Sequence, residues 1–114
     1  MPVLSELKIA VLPGDGIGIE VTEVCLNVLD AVAKKLGGIR FHWEAMQGGA
    51  NAYRDTGSAF TDDAMKAVGQ ADAILFGAMG LPEVRYPDGT EIAPQLDIRM
   101  EYELYAGVRP IRSL

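Results

Sequence analysis

The sequence predicts an α/β domain in which helices pack on a mostly parallel sheet. Three short apolar segments, at residues 7–12, 39–46 and 72–77, are typical of buried or half-buried strands. Helical patterns separate these segments, and a strand–helix–strand order favours parallel pairing through a right-handed crossover. We therefore expect the first and third segments to pair in parallel.

The first strand and the first helix occupy the N-terminal third of the chain. The run "LKIAVLP" is ended by proline and glycine, which predicts a buried strand. Residues 19–36 predict a helix, because apolar residues recur there at steps of three and four. We expect this apolar stripe to pack on the sheet, with Cys25 in the core beside it. The stripe consists of Val21, Val24, Val28 and Val32.

The remaining elements follow in order from the second strand. Residues 39–46 alternate apolar and polar side chains, which predicts one buried and one wetter face. A short helical piece, "ANAYRDTG", precedes a helix at residues 61–68, for which Thr61 is a suitable N-cap. After the third strand we expect a helix at residues 95–105 and an extended segment at residues 107–111.

Composition favours a soluble globular protein and argues against several classes of partner. Of the 114 residues, 49% are hydrophobic and 23% are charged, with a net charge of −6. So acidic a chain is poorly suited to bind phosphates, and we expect neither a nucleic-acid nor a membrane partner. The single cysteine cannot form an internal disulfide. No apolar run approaches the ~20 residues of a membrane span, so we expect a cytoplasmic protein.

The turn "PGDGIG" at residues 13–18 is the first candidate site. Its glycines allow a sharp turn from strand to helix, and free N–H groups at a helix start can bind an anion. A Rossmann dinucleotide fingerprint needs another glycine where this chain has Ile19, so that interpretation is disfavoured. The turn is either structural or lines a ligand cleft, and in the second case Asp15 holds the loop or faces the ligand.

The loop after the third strand and a pair of arginines are further candidates. The loop lies at the carboxyl end of a strand, where open α/β sheets bind ligands, although an ordinary surface loop has the same composition. Arg99 and Arg109 stand ten residues apart on the last predicted helix and the extended segment. Two converging arginines can bind a dicarboxylate, because each guanidinium can pair with one carboxylate. Surface pairing with nearby carboxylates remains the alternative. Those carboxylates are Asp97, Glu101 and Glu103.

Three stretches in series resemble the β-decarboxylating dehydrogenases, the family of isocitrate, isopropylmalate and tartrate dehydrogenases. They are "KIAVLPGDGIGIEV", "ILFGAMG" and "LDIRMEYELYAGVRPIR", which together span nearly the whole chain. The resemblance implies the N-terminal part of an isopropylmalate-dehydrogenase-like fold, which is not a Rossmann fold. It also implies an enzyme that uses NAD or NADP and Mg²⁺ or Mn²⁺ to oxidise and decarboxylate a malate-like 2-hydroxy acid.

The resemblance also implies roles for individual residues. Arg99 and Arg109 match the family's arginines that bind the substrate carboxylates. The residues expected to border the cofactor are Ile17, Gly80, Leu81, Glu91 and Ile92. The catalytic tyrosine and lysine and the metal-binding aspartates are expected outside this chain. Residues 1–114 are thus expected to be a single incomplete α/β domain of a homodimeric enzyme, inactive on its own.

Some positions depart from the family pattern. A serine of isocitrate-type members is replaced by Ala93. A leucine pair of isopropylmalate-type members falls at Gln95 and Leu96, so that half of this apolar pocket is polar here. An acidic residue expected near the nicotinamide aligns with Ile92, so Glu91 serves only after a one-residue shift. A non-catalytic ligand-binding or regulatory protein with the same fold is the alternative function.

Overall fold

A computed structural model describes residues 4–114 of the chain. Within that range the chain forms three strands and four helices. In chain order these are β1 (Ser5–Gly14), α1 (Ile17–Leu36), β2 (Ile39–Ala45), α2 (Ala50–Thr56), α3 (Asp62–Gly69), β3 (Ala73–Ala78) and α4 (Pro94–Glu101).

The described strands form one parallel sheet in the order β2-β1-β3. Strand β1 lies at the centre, where Ile9 pairs with Trp43 of β2 on one side and with Ala73 of β3 on the other. Both crossovers contain helices, as parallel pairing requires. The α/β prediction and the parallel pairing of the first and third strands are confirmed.

The two faces of β1 are buried against different helices. Ala10 and Leu12 are fully buried in a cluster with Val68 of α3 and Ile98 of α4. Side chains alternate along a strand, so Ile9 and Val11 point to the opposite face, on which α1 packs. That face is tied to the helix by the indole N–H of Trp43, which donates to the Asp30 carboxylate of α1 at 2.9 Å.

The expectation that the valine stripe of α1 packs on the sheet is wrong. Val21, Val24, Val28 and Val32 remain between 47% and 62% exposed. The sheet is approached by the side of α1 that carries the buried residues Gly18, Thr22 and Ala33, with Cys25 half-buried on it. Small residues let the helix backbone come close to the strands, whereas the valines project to a side that the described residues leave about half exposed.

The C-terminal end of the chain also differs from the prediction. Helix α4 ends at Glu101 rather than near residue 105, and the expected extended segment at residues 107–111 forms no strand. We call residues 104–114 the C-terminal arm, all of which is exposed. A strand needs a neighbour for its backbone hydrogen bonds, and no described strand pairs with the arm.

None of the described helices is both long and apolar enough to cross a membrane.

Candidate functional site

The carboxyl ends of β1 and β3 meet at one edge of the sheet, where the chain turns into α1. A Cβ on Gly14 would collide with the carbonyl of Ala78, and one on Gly18 would collide with the carbonyl of Pro13. Gly14 also has a φ of 78°, which favours glycine. These glycines therefore allow the close approach of strand to strand and of helix to strand.

Asp15 connects this turn to two distant segments. Its side chain is 2% exposed, and its Oδ2 accepts hydrogen bonds from the backbone N–H of Ala50 at 2.7 Å and of Gly80 at 2.8 Å. Its Oδ1 accepts from the N–H of Asn51 at 2.7 Å. We call these three bonds the Asp15 tether. Of the two roles open for Asp15, the structure shows it holding the loop.

A cavity of about 230 Å³ opens beside the tether at the carboxyl end of β3. Four of the five residues predicted to border the cofactor line it. They are Gly80, Leu81, Glu91 and Ile92. The remaining wall includes Met79, Pro82, Arg85, Ala93 and Gln95. Residues twelve positions apart in the sequence thus reach one cavity, because the intervening loop folds back on itself.

Short-range bonds of Arg85 hold the loop in this folded form. The guanidinium pairs with Glu91 at 3.0 Å and donates to the backbone carbonyls of Pro82 and Gly89, both at 3.3 Å. At the tip, the Asp88 carboxylate accepts the N–H of Thr90 at 2.9 Å, which lowers the pKa of Asp88. No pattern in the sequence indicated Arg85, because its role depends on how the loop closes.

The loop also packs on helix α2 through an apolar cluster. Ile92, which is 2% exposed, is buried with Ala50 and Ala59, and Leu81 packs against them. The ring of Tyr86 meets Tyr53 of α2 edge-on with centroids 5.0 Å apart, and burial raises the pKa of Tyr86. Loop and helix therefore form one packed unit.

Glu91 and Ile92 face different surroundings, which bears on the acidic position expected there. The side chain of Ile92 is in the apolar cluster, whereas the carboxylate of Glu91 is exposed and paired with Arg85 at the mouth of the cavity. Of these two residues, Glu91 alone brings a negative charge to the cavity.

Gln95, at the start of α4, brings an unsatisfied acceptor to the cavity wall. Its Oε1 is buried and has no hydrogen-bond partner among the described residues. A buried carbonyl oxygen without a donor is unfavourable by about 1–3 kcal/mol. The sequence showed that Gln95 was polar where relatives are apolar, but not that its oxygen would be buried and unpaired.

Ile17 lies on the other side of the same edge. It is the first residue of α1 and is 62% exposed, so its side chain is free to contact a ligand. A Cβ built on the neighbouring Gly16 would lie 3.9 Å from Leu81, which places the turn before α1 beside the loop. Ile17 does not line the cavity itself.

The two arginines are exposed and are placed on different kinds of structure. Arg99 lies on α4, and Arg109 lies in the exposed C-terminal arm. Within residues 4–114 neither guanidinium forms an ion pair, so the surface pairing with Asp97, Glu101 or Glu103 does not occur there. The structure provides no contact that would hold the two arginines on one ligand.

A metal site is not built from the part of the chain described here. No group of three or more His, Cys, Asp or Glu side chains within residues 4–114 is arranged to hold an ion.

Comparison with known proteins identifies the family of this chain. The sequence profile described as isocitrate/isopropylmalate dehydrogenase matches residues 8–114. The chain belongs to the isocitrate/isopropylmalate dehydrogenase family. Membership confirms the resemblance drawn from the three sequence stretches. It also accounts for a glycine turn that lacks the Rossmann fingerprint.

Individual members of the isocitrate/isopropylmalate dehydrogenase family resemble the chain over most of its length. A probable tartrate dehydrogenase/decarboxylase of Agrobacterium vitis is 38% identical over 112 residues, which cover 97% of this chain and 31% of that protein. A 3-isopropylmalate dehydrogenase of Symbiobacterium thermophilum is 48% identical over 107 residues, covering 90% of this chain and 28% of the relative.

Solved structures show the same likeness. The crystal structure of a β-decarboxylating dehydrogenase from Thermococcus kodakarensis in its apo form superimposes with a TM-score of 0.70 at 35% identity. The match covers 87% of this chain and 27% of that one, which confirms the predicted fold class. The chain spans less than a third of the length of these family members.

Proposed function

We propose that this segment is the N-terminal part of an NAD(P)-dependent dehydrogenase that oxidises and decarboxylates a malate-like 2-hydroxy acid. The observation that carries the proposal is the cavity beside β3, where four residues expected at the cofactor meet within a member of this family. An enzyme that oxidises a small acid in this way would need one region that binds the nicotinamide and another that binds the carboxylates of the acid.

The cavity suits the nicotinamide end of NAD or NADP rather than the whole dinucleotide. Its volume of about 230 Å³ is small, and its wall combines backbone at Gly80 with the apolar side chain of Leu81. The bound cofactor would supply the acceptor for the hydride of the hydroxyl carbon. Glu91 would supply the negative charge near the ring, and Ile17 would contact the cofactor from the side of α1.

The substrate would be bound by Arg99 and Arg109. Each guanidinium can hold one carboxylate through two parallel hydrogen bonds, which orients a di- or tricarboxylate and offsets its charge. Neither arginine transfers a proton, because a guanidinium stays protonated at ordinary pH. Their convergence requires the C-terminal arm to be ordered by contacts beyond the described residues.

Gln95 supports a polar substituent on the substrate. Its buried Oε1 is unpaired, and a hydroxyl of a tartrate- or malate-type acid can donate to it. An isopropyl group would leave that oxygen unsatisfied. We therefore place tartrate- and malate-type acids ahead of isopropylmalate as substrates.

The proposal includes several features that lie outside the described residues. These residues do not fit a metal ion, so the ligands for Mg²⁺ or Mn²⁺ would come from elsewhere in the protein. The residues for acid–base catalysis would also come from elsewhere in the protein. The homodimer follows from the resemblance alone, and the cytoplasmic location from the single cysteine and the short apolar runs of the sequence.

The test is NAD(P)H formation by the purified full-length protein. With Mn²⁺ present, we expect reduction of NAD or NADP with D-malate or tartrate at a higher kcat/KM than with 3-isopropylmalate or isocitrate. Chelation should abolish it, and residues 1–114 alone should show no turnover. Binding of acid and nucleotide without turnover would favour the non-catalytic alternative, and turnover by the short chain would contradict the proposal.

A further inference from the structure

We propose that Asp15 is a positioning residue that sets the place of the cofactor-bordering loop relative to the sheet. The inference deepens the proposed function and rests on it for the identity of the ligand. The Asp15 tether itself is a feature of this chain. It joins the β1–α1 turn to both α2 and the loop.

Among the residues that the structure describes, the donors of the tether have no other partner. The N–H groups of Ala50 and Asn51 belong to the first turn of α2, where no intrahelical acceptor exists. The N-cap of α2 is Gly49, which has no side chain to cap them. Asp15 takes the place of the missing cap from 35 residues away in the sequence.

The space around the carboxylate is matched to it. A Cβ on Gly49 would lie 2.5 Å from Oδ2 of Asp15, so glycine is required for the approach. Gly80, whose N–H completes the tether, has a φ of 101°, a conformation that side chains rarely adopt. Two glycines and one aspartate thus meet at one point of the turn, and all three are needed for the bonds.

Only a carboxylate can satisfy these three donors. Asp15 offers two oxygens, of which one accepts two N–H groups and the other accepts one. An asparagine of the same shape would present an N–H₂ group to at least one backbone N–H. That donor would lose its partner inside a buried site. The Asp15→Asn change therefore removes at least one of the three bonds and weakens the others, because their acceptor loses its negative charge, without altering side-chain volume.

The loop and α2 pack together as one unit, and the bonds to Asp15 fix the position of this unit relative to the sheet. Gly80 is the first residue of the cavity wall after β3, and Leu81 follows it. A displacement at Gly80 would move the residues expected to contact the nicotinamide. Arg99 on α4 and Arg109 on the C-terminal arm make no contact with the tether, so substrate binding should be little affected.

Asp72→Asn is a matched control. The Asp72 carboxylate also accepts a backbone N–H, from Lys8 at 2.8 Å, but it is exposed and lies at the opposite end of β3. In the full-length protein we expect Asp15→Asn to raise KM for the nucleotide about tenfold, the equivalent of one charge-assisted hydrogen bond. The KM for the acid should change less than twofold, and Asp72→Asn should change neither.

Amide hydrogen exchange is a second measurement, which does not depend on activity. Its first part uses the unmodified protein and does not require the variant to fold. In the unmodified protein, the amide hydrogens of Asn51 and Gly80 should exchange with solvent at least ~100-fold more slowly than that of Gly107 in the exposed arm. In Asp15→Asn the amides of Ala50, Asn51 and Gly80 should exchange faster, while those within β1 stay protected.

The outcomes separate the two proposals. An active protein in which Asp15→Asn leaves the nucleotide KM unchanged would overturn the role of Asp15 and leave the dehydrogenase assignment standing. Fast exchange at Gly80 in the unmodified protein would overturn it as well. An unmodified protein that never reduces a nucleotide would contradict the proposed function, and exchange alone would then decide whether Asp15 holds the loop.

Discussion

The Asp15 tether and the C-terminal arm belong to the same segment, yet the fold holds them very differently. Around Asp15, three hydrogen bonds to a buried carboxylate and two glycines with positive φ fix the turn to the sheet edge. In the arm, Tyr105 is 100% exposed and every described residue lies at the surface. The first region carries the loop expected at the cofactor, and the second carries Arg109.

The difference shows which half of the proposed site this segment can build alone. The nucleotide side is assembled from residues that contact one another within residues 4–114. Under the proposed function, the substrate side would need partners that order the arm and bring Arg109 to Arg99. The exposed valine stripe of α1 points the same way, because apolar side chains on such a stripe usually pack against another element.

The largest expected effect compares a glycine in the closely packed turn with one in the arm. Gly18→Ala places a Cβ against the carbonyl of Pro13 and 2.5 Å from the Ala78 nitrogen, and these backbone atoms cannot move cheaply. We expect a loss of about 2 kcal/mol or more in unfolding free energy, even after the gain in helix propensity.

The matched control is Gly107→Ala, since Gly107 has nothing within 4 Å of a built Cβ. It should change stability by less than about 0.5 kcal/mol. Urea unfolding of both variants is the measurement. Equal stabilities would contradict the view that the two regions differ in packing.

The next largest effect tests the arm as a substrate region. In the full-length protein, Arg109→Lys keeps the charge but loses the planar fork, and with it a bidentate carboxylate contact. Such a charge-assisted bond contributes roughly 1.5–3 kcal/mol, so kcat/KM for the acid should fall about ten- to a hundred-fold. Stability should stay within about 0.5 kcal/mol.

Arg99→Lys should act in the same direction, and the double variant should cost less than the sum because both side chains hold one ligand. Arg112→Lys, three residues further along the arm, is the control and should have no effect. A kcat/KM within twofold of wild type for both Arg99→Lys and Arg109→Lys would end the assignment of these residues to the substrate.

A smaller effect on stability is expected at the boundary between the packed fold and the C-terminal arm. The Tyr102 hydroxyl donates to the Met65 carbonyl of α3 at 2.6 Å, which ties the end of α4 to the core. Tyr102→Phe should cost about 1 kcal/mol of unfolding free energy. Tyr105→Phe, three residues later and fully exposed, should cost nothing measurable by the same urea titration. Similar losses in both variants would place the boundary of the fold beyond Tyr105.

The smallest expected change in stability concerns the valine stripe. Val28 is 56% exposed, so Val28→Thr should alter unfolding free energy by less than about 0.5 kcal/mol. It should nevertheless reduce self-association of residues 1–114 in sedimentation velocity, because the stripe is an uncovered apolar surface. Ala31→Ser, also exposed on α1, is the control. Unchanged association would show that another surface brings the chains together.

Local sequence patterns predicted the strands and helices well where an element has a single apolar face. The apolar run of β1 and the N-cap of α3 were identified correctly, and the Thr61 hydroxyl accepts the N–H of Ala64 at 3.1 Å. The valine stripe was placed wrongly because α1 has apolar or small residues on two sides. Periodicity does not distinguish the side that meets the sheet from the side covered by something else.

The candidate site was predictable only in part. Glycines and an aspartate in one short turn indicated a close approach, but the bonds from Asp15 to residues 50, 51 and 80 span 35 to 65 positions. The roles of Arg85 and Gln95 depend on how a loop closes and on which atoms it buries. The spacing of residues in the sequence determines neither the loop closure nor the atoms that it buries. Residues 107–111 form no strand, because a strand depends on its neighbours for backbone hydrogen bonds.

The central claim is that residues 1–114 build the nucleotide side of the site, whereas the substrate side is completed by the rest of the protein. Amide hydrogen exchange on residues 1–114 and on the full-length protein tests it most directly. We expect the Ala50, Asn51 and Gly80 amides to be protected in both. Amides of the C-terminal arm should exchange at unstructured rates in the short chain and become protected in the long one. An arm protected in residues 1–114 alone, or still unprotected in the full-length protein, would contradict the claim.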